Sequence, residues 1–179
     1  MENTAADALI DGALVHHRAG RRAEAEQGYR RALDVSPGHP DALHLLGLLW
    51  HEQRDYGRAV PQLRAAVAAD PRAAEFHYGL AEALRLSGQA RDAVESYGRA
   101  VALDPSLVDA WRGLGASCQL AGQPAAAANA FARAAAMDPR HAETCNNLGL
   151  ALRHVGRAGE AIGWLRKAIA LRPGFVEAH

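Results

Sequence analysis

Cysteine, lysine and aromatic residues are scarce in this chain. Two cysteines in 179 residues exclude a disulfide scaffold and point to a reducing, cytoplasmic setting. Lys167 is the only lysine, and Lys+Arg 20 against Asp+Glu 20 leaves a formal net charge of zero. That balance lacks the clustered positive charge on which phosphate-backbone binding rests, so nucleic acid is not an expected partner. No run approaches the roughly 18 apolar residues of a membrane span. The opening MENTAADALI has neither the basic nor the apolar segment of a secretory signal. What remains, 49% hydrophobic and 22% charged, is the composition of a folded chain rather than a disordered one.

With few aromatics to fill a core, alanine stands out at 41 residues. A core of alanine requires helix backbones to approach closely. The Ala and Arg bias also reads as GC-rich bacterial coding, to which no function attaches. The prolines reveal the organisation: Pro37, Pro71, Pro105, Pro139 and Pro173 are each 34 residues apart. Five registers follow, 6–39, 40–73, 74–107, 108–141 and 142–175, numbered so that this proline is position 32. Position 20 is Ala25, Ala59, Ala93, Ala127 and Ala161, and position 27 is Ala32, Ala66, Ala100, Ala134 and Ala168. Position 8 is always small (Ala13, Gly47, Ala81, Gly115, Gly149) and position 24 always large (Tyr29, Leu63, Tyr97, Phe131, Leu165).

Within each register two apolar runs have helical spacing, such as Leu80, Ala83, Leu84 and then Ala93, Tyr97, Ala100, Val101. Turns such as Ser87-Gly88-Gln89 and Val155-Gly156-Arg157 separate the runs, and Asp-Pro pairs end the second. Each register is therefore expected to be a hairpin of two helices of about 13–14 residues, roughly 20 Å long. A single hairpin cannot bury its apolar face, so hairpins stack on their neighbours.

This register closely resembles the tetratricopeptide repeat family, most clearly in Trp111, Leu114, Gly115, Ala127, Phe131, Ala134 and Pro139. The resemblance implies an all-α, right-handed α-solenoid of five helix-turn-helix hairpins, forming one domain over 1–179. The first register departs from the pattern, with Gly12 in place of leucine and His16 at a usually apolar position. Residues 176–179 read as the start of a truncated sixth repeat, which would make the chain the N-terminal part of a longer protein.

No catalytic constellation is expected. His51-Glu52 lacks the second histidine of a metalloprotease helix, and Gly113-Leu114-Gly115 follows no strand, so its glycines are assigned to packing. None of the nine histidines form an i, i+4 pair, so no metal and no cofactor are expected. Cys118 and Cys145 fall at interior positions and read as buried thiols. Acids recur at position 2 (Asp7, Asp41, Glu75, Asp109, Glu143), a position that the family resemblance turns toward the groove and where they also complement the helix dipole.

What remains is a surface. The family resemblance implies that the first helices line a concave groove that binds a protein or extended peptide. Carried over by position, its residues are His44, Leu48, His51, Tyr78, Glu82, Arg85, Arg112, Gln119, Asn146, Asn147, Leu150 and Arg153. These vary between registers while the packing positions recur. The Lys/Asn set of the chaperone-tail clamp is missing, and an asparagine ladder at position 6 is reduced to Asn147. The expected function is a non-enzymatic protein-interaction scaffold. An alternative is the substrate-docking region of a larger enzyme, because His39–Gly47 weakly resembles bacterial arrays preceding O-linked N-acetylglucosamine transferase-like glycosyltransferase domains. Self-association through uncapped repeat ends is a further reading. As a test of the register, Ala93→Leu should overpack the hairpin by on the order of 1–3 kcal/mol, seen as a lower thermal unfolding midpoint.

Overall fold

The computed structural model describes residues 2–173, with side chains from Thr4 onward. Residues 176–179, read as a sixth repeat's start, lie outside the described residues. Among the described residues there are ten helices and no strand: α1 (Glu2–Arg18), α2 (Arg22–Val35), α3 (Pro40–Glu52), α4 (Tyr56–Ala69), α5 (Ala74–Leu86), α6 (Ala90–Leu103), α7 (Val108–Leu120), α8 (Pro124–Met137), α9 (Ala142–His154) and α10 (Ala158–Leu171). The lengths follow the repeat: α3, α5, α7 and α9 have 13 residues, while α2, α4, α6, α8 and α10 have 14. The chain divides into two compact units, Met1–Gly88 and Gln89–His179.

In the first unit α1 packs on α2 and α3 on α4 as antiparallel hairpins, and α2 and α4 each pack on the first helix that follows. The second unit repeats the scheme with the α7/α8 and α9/α10 hairpins, α6 against α7 and α8 against α9. The core is built on the expected small positions. Ala25, Ala59, Ala93, Ala127, Ala32, Ala66, Ala100, Ala134 and Ala168 are all 0% exposed, and Ala161 2%. Their lack of bulk brings the helices together, and the large side chain of position 24 fills the remaining space. A methyl added at Gly47 would lie 2.6 Å from Leu63 Cγ, at Gly115 2.6 Å from Phe131 Cε1, and at Gly149 2.7 Å from Leu165 Cγ. Gly113 is closed off in the same way by the Tyr97 ring, so the Gly-Leu-Gly stretch serves packing. Fully burying a side chain such as Leu63 contributes roughly 1.5–3 kcal/mol.

Hydrogen bonds set where the helices stop. At the end of α3 the Arg54 N–H donates to the His51 carbonyl and the Asp55 N–H to the Trp50 carbonyl, both 2.9 Å. The same pair of bonds recurs after α1, α7 and α9, the pattern of a Schellman cap. It requires a left-handed residue, supplied by Gly20, Gly88, Gly122 and Gly156 with φ of 72–83°. In the second register that place is held by Arg54, at φ 60°. The second helices end differently. Asp70, Asp104 and Asp138 accept from the N–H two residues on, across the intervening proline. The proline carbonyl then receives the next helix: His77 Nε2–H donates to Pro71 O and Trp111 Nε1–H to Pro105 O, each at 3.0 Å. Asp and Pro together thus turn the chain and anchor the following hairpin.

Two prolines begin helices, Pro40 in α3 and Pro124 in α8, where a missing N–H costs nothing. Pro61 instead lies inside α4, on its exposed side. The Arg54 cap gives the sharper test, because a non-glycine left-handed residue costs about 1–2 kcal/mol. Arg54→Gly should raise stability by on the order of 1 kcal/mol, and Gly122→Arg should lower it by a similar amount, both read as shifts in the urea midpoint.

Candidate functional site

The first helices of the first unit, α1, α3 and α5, lie side by side, with α3 touching both others. Because the repeat spaces equivalent residues by 34, corresponding positions on successive first helices come into register on one face. They enclose an open cavity of about 410 Å³. Ile10, Leu14, Leu45 and Phe76 form its apolar lining, and Asp7, Asp11, Asp41 and Glu75 bring carboxylates to it. His44 completes the wall, only 8% exposed, its ring stacked on Phe76 at 4.5 Å between centroids and 29° between planes. Burial pushes the His44 imidazole down to about 4, against the opposing pull of Glu75 and Asp41. His44 is therefore neutral at physiological pH, and its Nδ1 has no hydrogen-bond partner.

The acids of position 2, read from sequence as dipole partners, thus also line this cavity. Asp7 accepts a 2.9 Å bond from His39 Nε2, which places a 4%-exposed histidine between α1 and the start of α3. Further along the face, buried Tyr29 faces His17 Nδ1 at 3.0 Å, and His17 Nε2 faces the Glu52 carboxylate at 3.1 Å. A carboxylate accepts only, so Nε2 carries the proton and Nδ1 accepts from the phenol. Burial first, and then the Glu52 charge, push the Tyr29 phenol up to about 12. This chain ties α2, α1 and α3 together.

The groove residues named from sequence fall into several environments. Leu48 and Tyr78 are half-buried on α3 and α5; Leu48 Cδ2 and His44 Cε1 would lie 3.3 and 2.9 Å from a methyl at Gly79. His51 sits edge-on to Tyr56 at 5.8 Å, with Nε2 buried and unpartnered. Glu82 and Arg85 form a 2.8 Å ion pair along α5.

In the second unit Arg112 is held by three groups: Asp109 at 2.7 Å, Asp138 at 2.5 Å and Thr144 Oγ1 at 3.2 Å. It braces α7 against the α8–α9 loop and the start of α9. Asn146 is in the interior, 1% exposed, with Oδ1 unpartnered. Asn147 and Leu150 are half-buried and Arg153 is exposed. Gln119 lines a separate cavity of about 490 Å³ with Gly122, Pro124 and His154.

Among the described residues no three His, Cys, Asp or Glu side chains come together as a metal site. Cys118 and Cys145 are free and buried, and burial raises both thiols above their ordinary range. Cys118 packs with Ala127, Ala128, Phe131 and Leu148. No helix among the described residues is long and apolar enough to cross a membrane.

A family model, the tetratricopeptide repeat, matches residues 10–60, 52–106 and 121–174, well over half of the chain. The chain belongs to the tetratricopeptide repeat family. The human tetratricopeptide repeat protein 7B is 35% identical over 78 residues, which are 44% of this chain and 9% of that relative. Of the solved structures, YrrB, described as a TPR protein with an unusual peptide-binding site, superposes with a TM-score of 0.88 at 24% identity, covering 95% of this chain and 88% of its own. MamA from Desulfovibrio magneticus RS-1 gives a TM-score of 0.84 at 20% identity, over 96% of this chain and 97% of its own. Both likenesses establish a shared fold.

Sequence reasoning turned position 2 (Asp7, Asp41, Glu75) toward the groove but left its acids out of the candidate site, and it did not place Asp11 and Phe76 in this TPR chain's site at all. The recurring acid of position 2 was the available signal. The bracing role of Arg112 predicts that Arg112→Ala lowers stability by about 1.5–3 kcal/mol, the range for hydrogen bonds to charged groups. Arg112→Lys, without the planar fork, should recover only part of the loss; urea unfolding measures both.

Proposed function

We propose that this chain is a non-enzymatic interaction scaffold that binds an extended segment of a partner protein along the face of its first helices, in a reducing, cytoplasmic setting. The observation that carries the proposal is the cavity shared by α1, α3 and α5. Beside the recurring acids of position 2, it is built from positions 5 and 6, which differ between repeats (Ile10 and His44, Asp11 and Leu45), whereas the alanines of positions 20 and 27 do not change. A surface that varies on a backbone that repeats is suited to reading one ligand sequence. An open lining of apolar and charged side chains is also suited to an extended peptide, whose backbone and alternate side chains both need contacts. YrrB, described as having a peptide-binding site, supports the reading at the level of the fold.

The test is selection of random dodecapeptides displayed on phage against the full chain, followed by affinity measurement on variants. Leu48→Ala combined with Tyr78→Ala should weaken the selected peptides at least tenfold, about 1.4 kcal/mol. Arg133→Ala, on the exposed side of α8, should leave them unchanged. Recovery of no peptides, or of peptides indifferent to the Leu48/Tyr78 change, would contradict the proposal.

A further inference from the structure

We infer that the cavity across α1, α3 and α5 receives an arginine side chain of the bound segment. The inference rests on the scaffold reading above and names the chemistry of its ligand. Four carboxylates, those of Asp7, Asp11, Asp41 and Glu75, line one cavity, and no arginine or lysine is among its lining residues. Of the four, Asp7 is engaged by His39, and none forms an ion pair with arginine or lysine in the first unit as described. So much unneutralised negative charge around an apolar lining favours a cation.

The cation is not a metal ion, because no three of these groups converge at ligating distance. A charge spread over several donors meets carboxylates on three separate helices better than a point charge does. Guanidinium has that form: it is planar, carries five N–H donors and stacks on aromatic faces. The His44–Phe76 stack supplies a flat aromatic wall beside the carboxylates. His44 itself is more than nine-tenths buried, and its unpartnered Nδ1 lies on the ring edge that meets Gly79 of α5. Ile10 and Leu14 on α1 and Leu45 on α3 are placed to contact apolar residues flanking the arginine.

The probe is acetyl-Leu-Arg-Leu-amide, titrated into the ¹⁵N-labelled full chain and compared with its citrulline counterpart, which is nearly isosteric and uncharged. Amide shifts should concentrate at Asp11, Asp41–Leu45 and Phe76, and the citrulline peptide should bind at least tenfold more weakly. The lysine peptide should fall between the two. Asp41→Asn combined with Glu75→Gln changes only exposed side chains, so the chain should stay folded, with a small fall in the unfolding midpoint from the lost helix-dipole contacts, while losing the preference for arginine over citrulline. Equal binding of the arginine and citrulline peptides, shifts elsewhere on the chain, or no binding would overturn the inference. The two proposals fail separately. Phage-selected peptides that lack arginine yet depend on Leu48 and Tyr78 would sink the arginine site and leave the scaffold standing. Selected peptides indifferent to the Leu48/Tyr78 change and to the Asp41/Glu75 change would sink both.

Discussion

The close approach of helices at alanine and glycine positions is the contact on which the rest of the structure depends. The Phe131 ring can press on α7 only because position 115 has no side chain, and Leu63 meets Gly47 on α3 in the same way. With so few aromatics, one large residue per hairpin, at position 24, fills the space that the glycine of position 8 leaves open in the second, fourth and fifth repeats. The alanines of positions 20 and 27 set the separation, and their burial is complete or nearly so in every repeat. A packing code held this tightly leaves the exposed positions of the first helices free to vary.

That freedom is used differently in the two units. On α1, α3 and α5 the position-2 acids and Asp11 line a shared cavity without an arginine or lysine among its walls. On α7 the equivalent acid, Asp109, is met by Arg112, which also reaches Asp138 and Thr144. One difference at position 5, arginine in place of a residue such as His44, turns a cavity-lining carboxylate into half of an internal brace. A zero net charge for the chain therefore conceals a local excess of negative charge on the first unit.

Most of the fold was legible in the sequence because it depends on short-range rules repeated at a fixed interval. Proline spacing, glycine turns and alanine positions determine where helices stop and which faces meet, and the helices have the expected 13 and 14 residues. The site was less legible. Whether position 5 lines an opening, as in His44, or is sealed in the interior, as in Asn146, depends on how neighbouring helices rotate against each other. The partners of Arg112 depend on the reach of a long side chain across two loops. Arg54 shows a limit of another kind: hydrogen bonds at the end of α3 hold a left-handed residue where composition alone gives no glycine to mark it.

The central claim is that the small positions on both helices of each hairpin carry the packing, while the exposed side of the first helices presents the ligand surface. Hydrogen–deuterium exchange on the full chain, with and without a saturating selected peptide, tests it most directly. Slowed exchange in α3 and α5, with α2 and α4 unchanged, is the predicted result. Protection confined to α2 and α4, with α3 and α5 exchanging as in the free chain, would contradict the account.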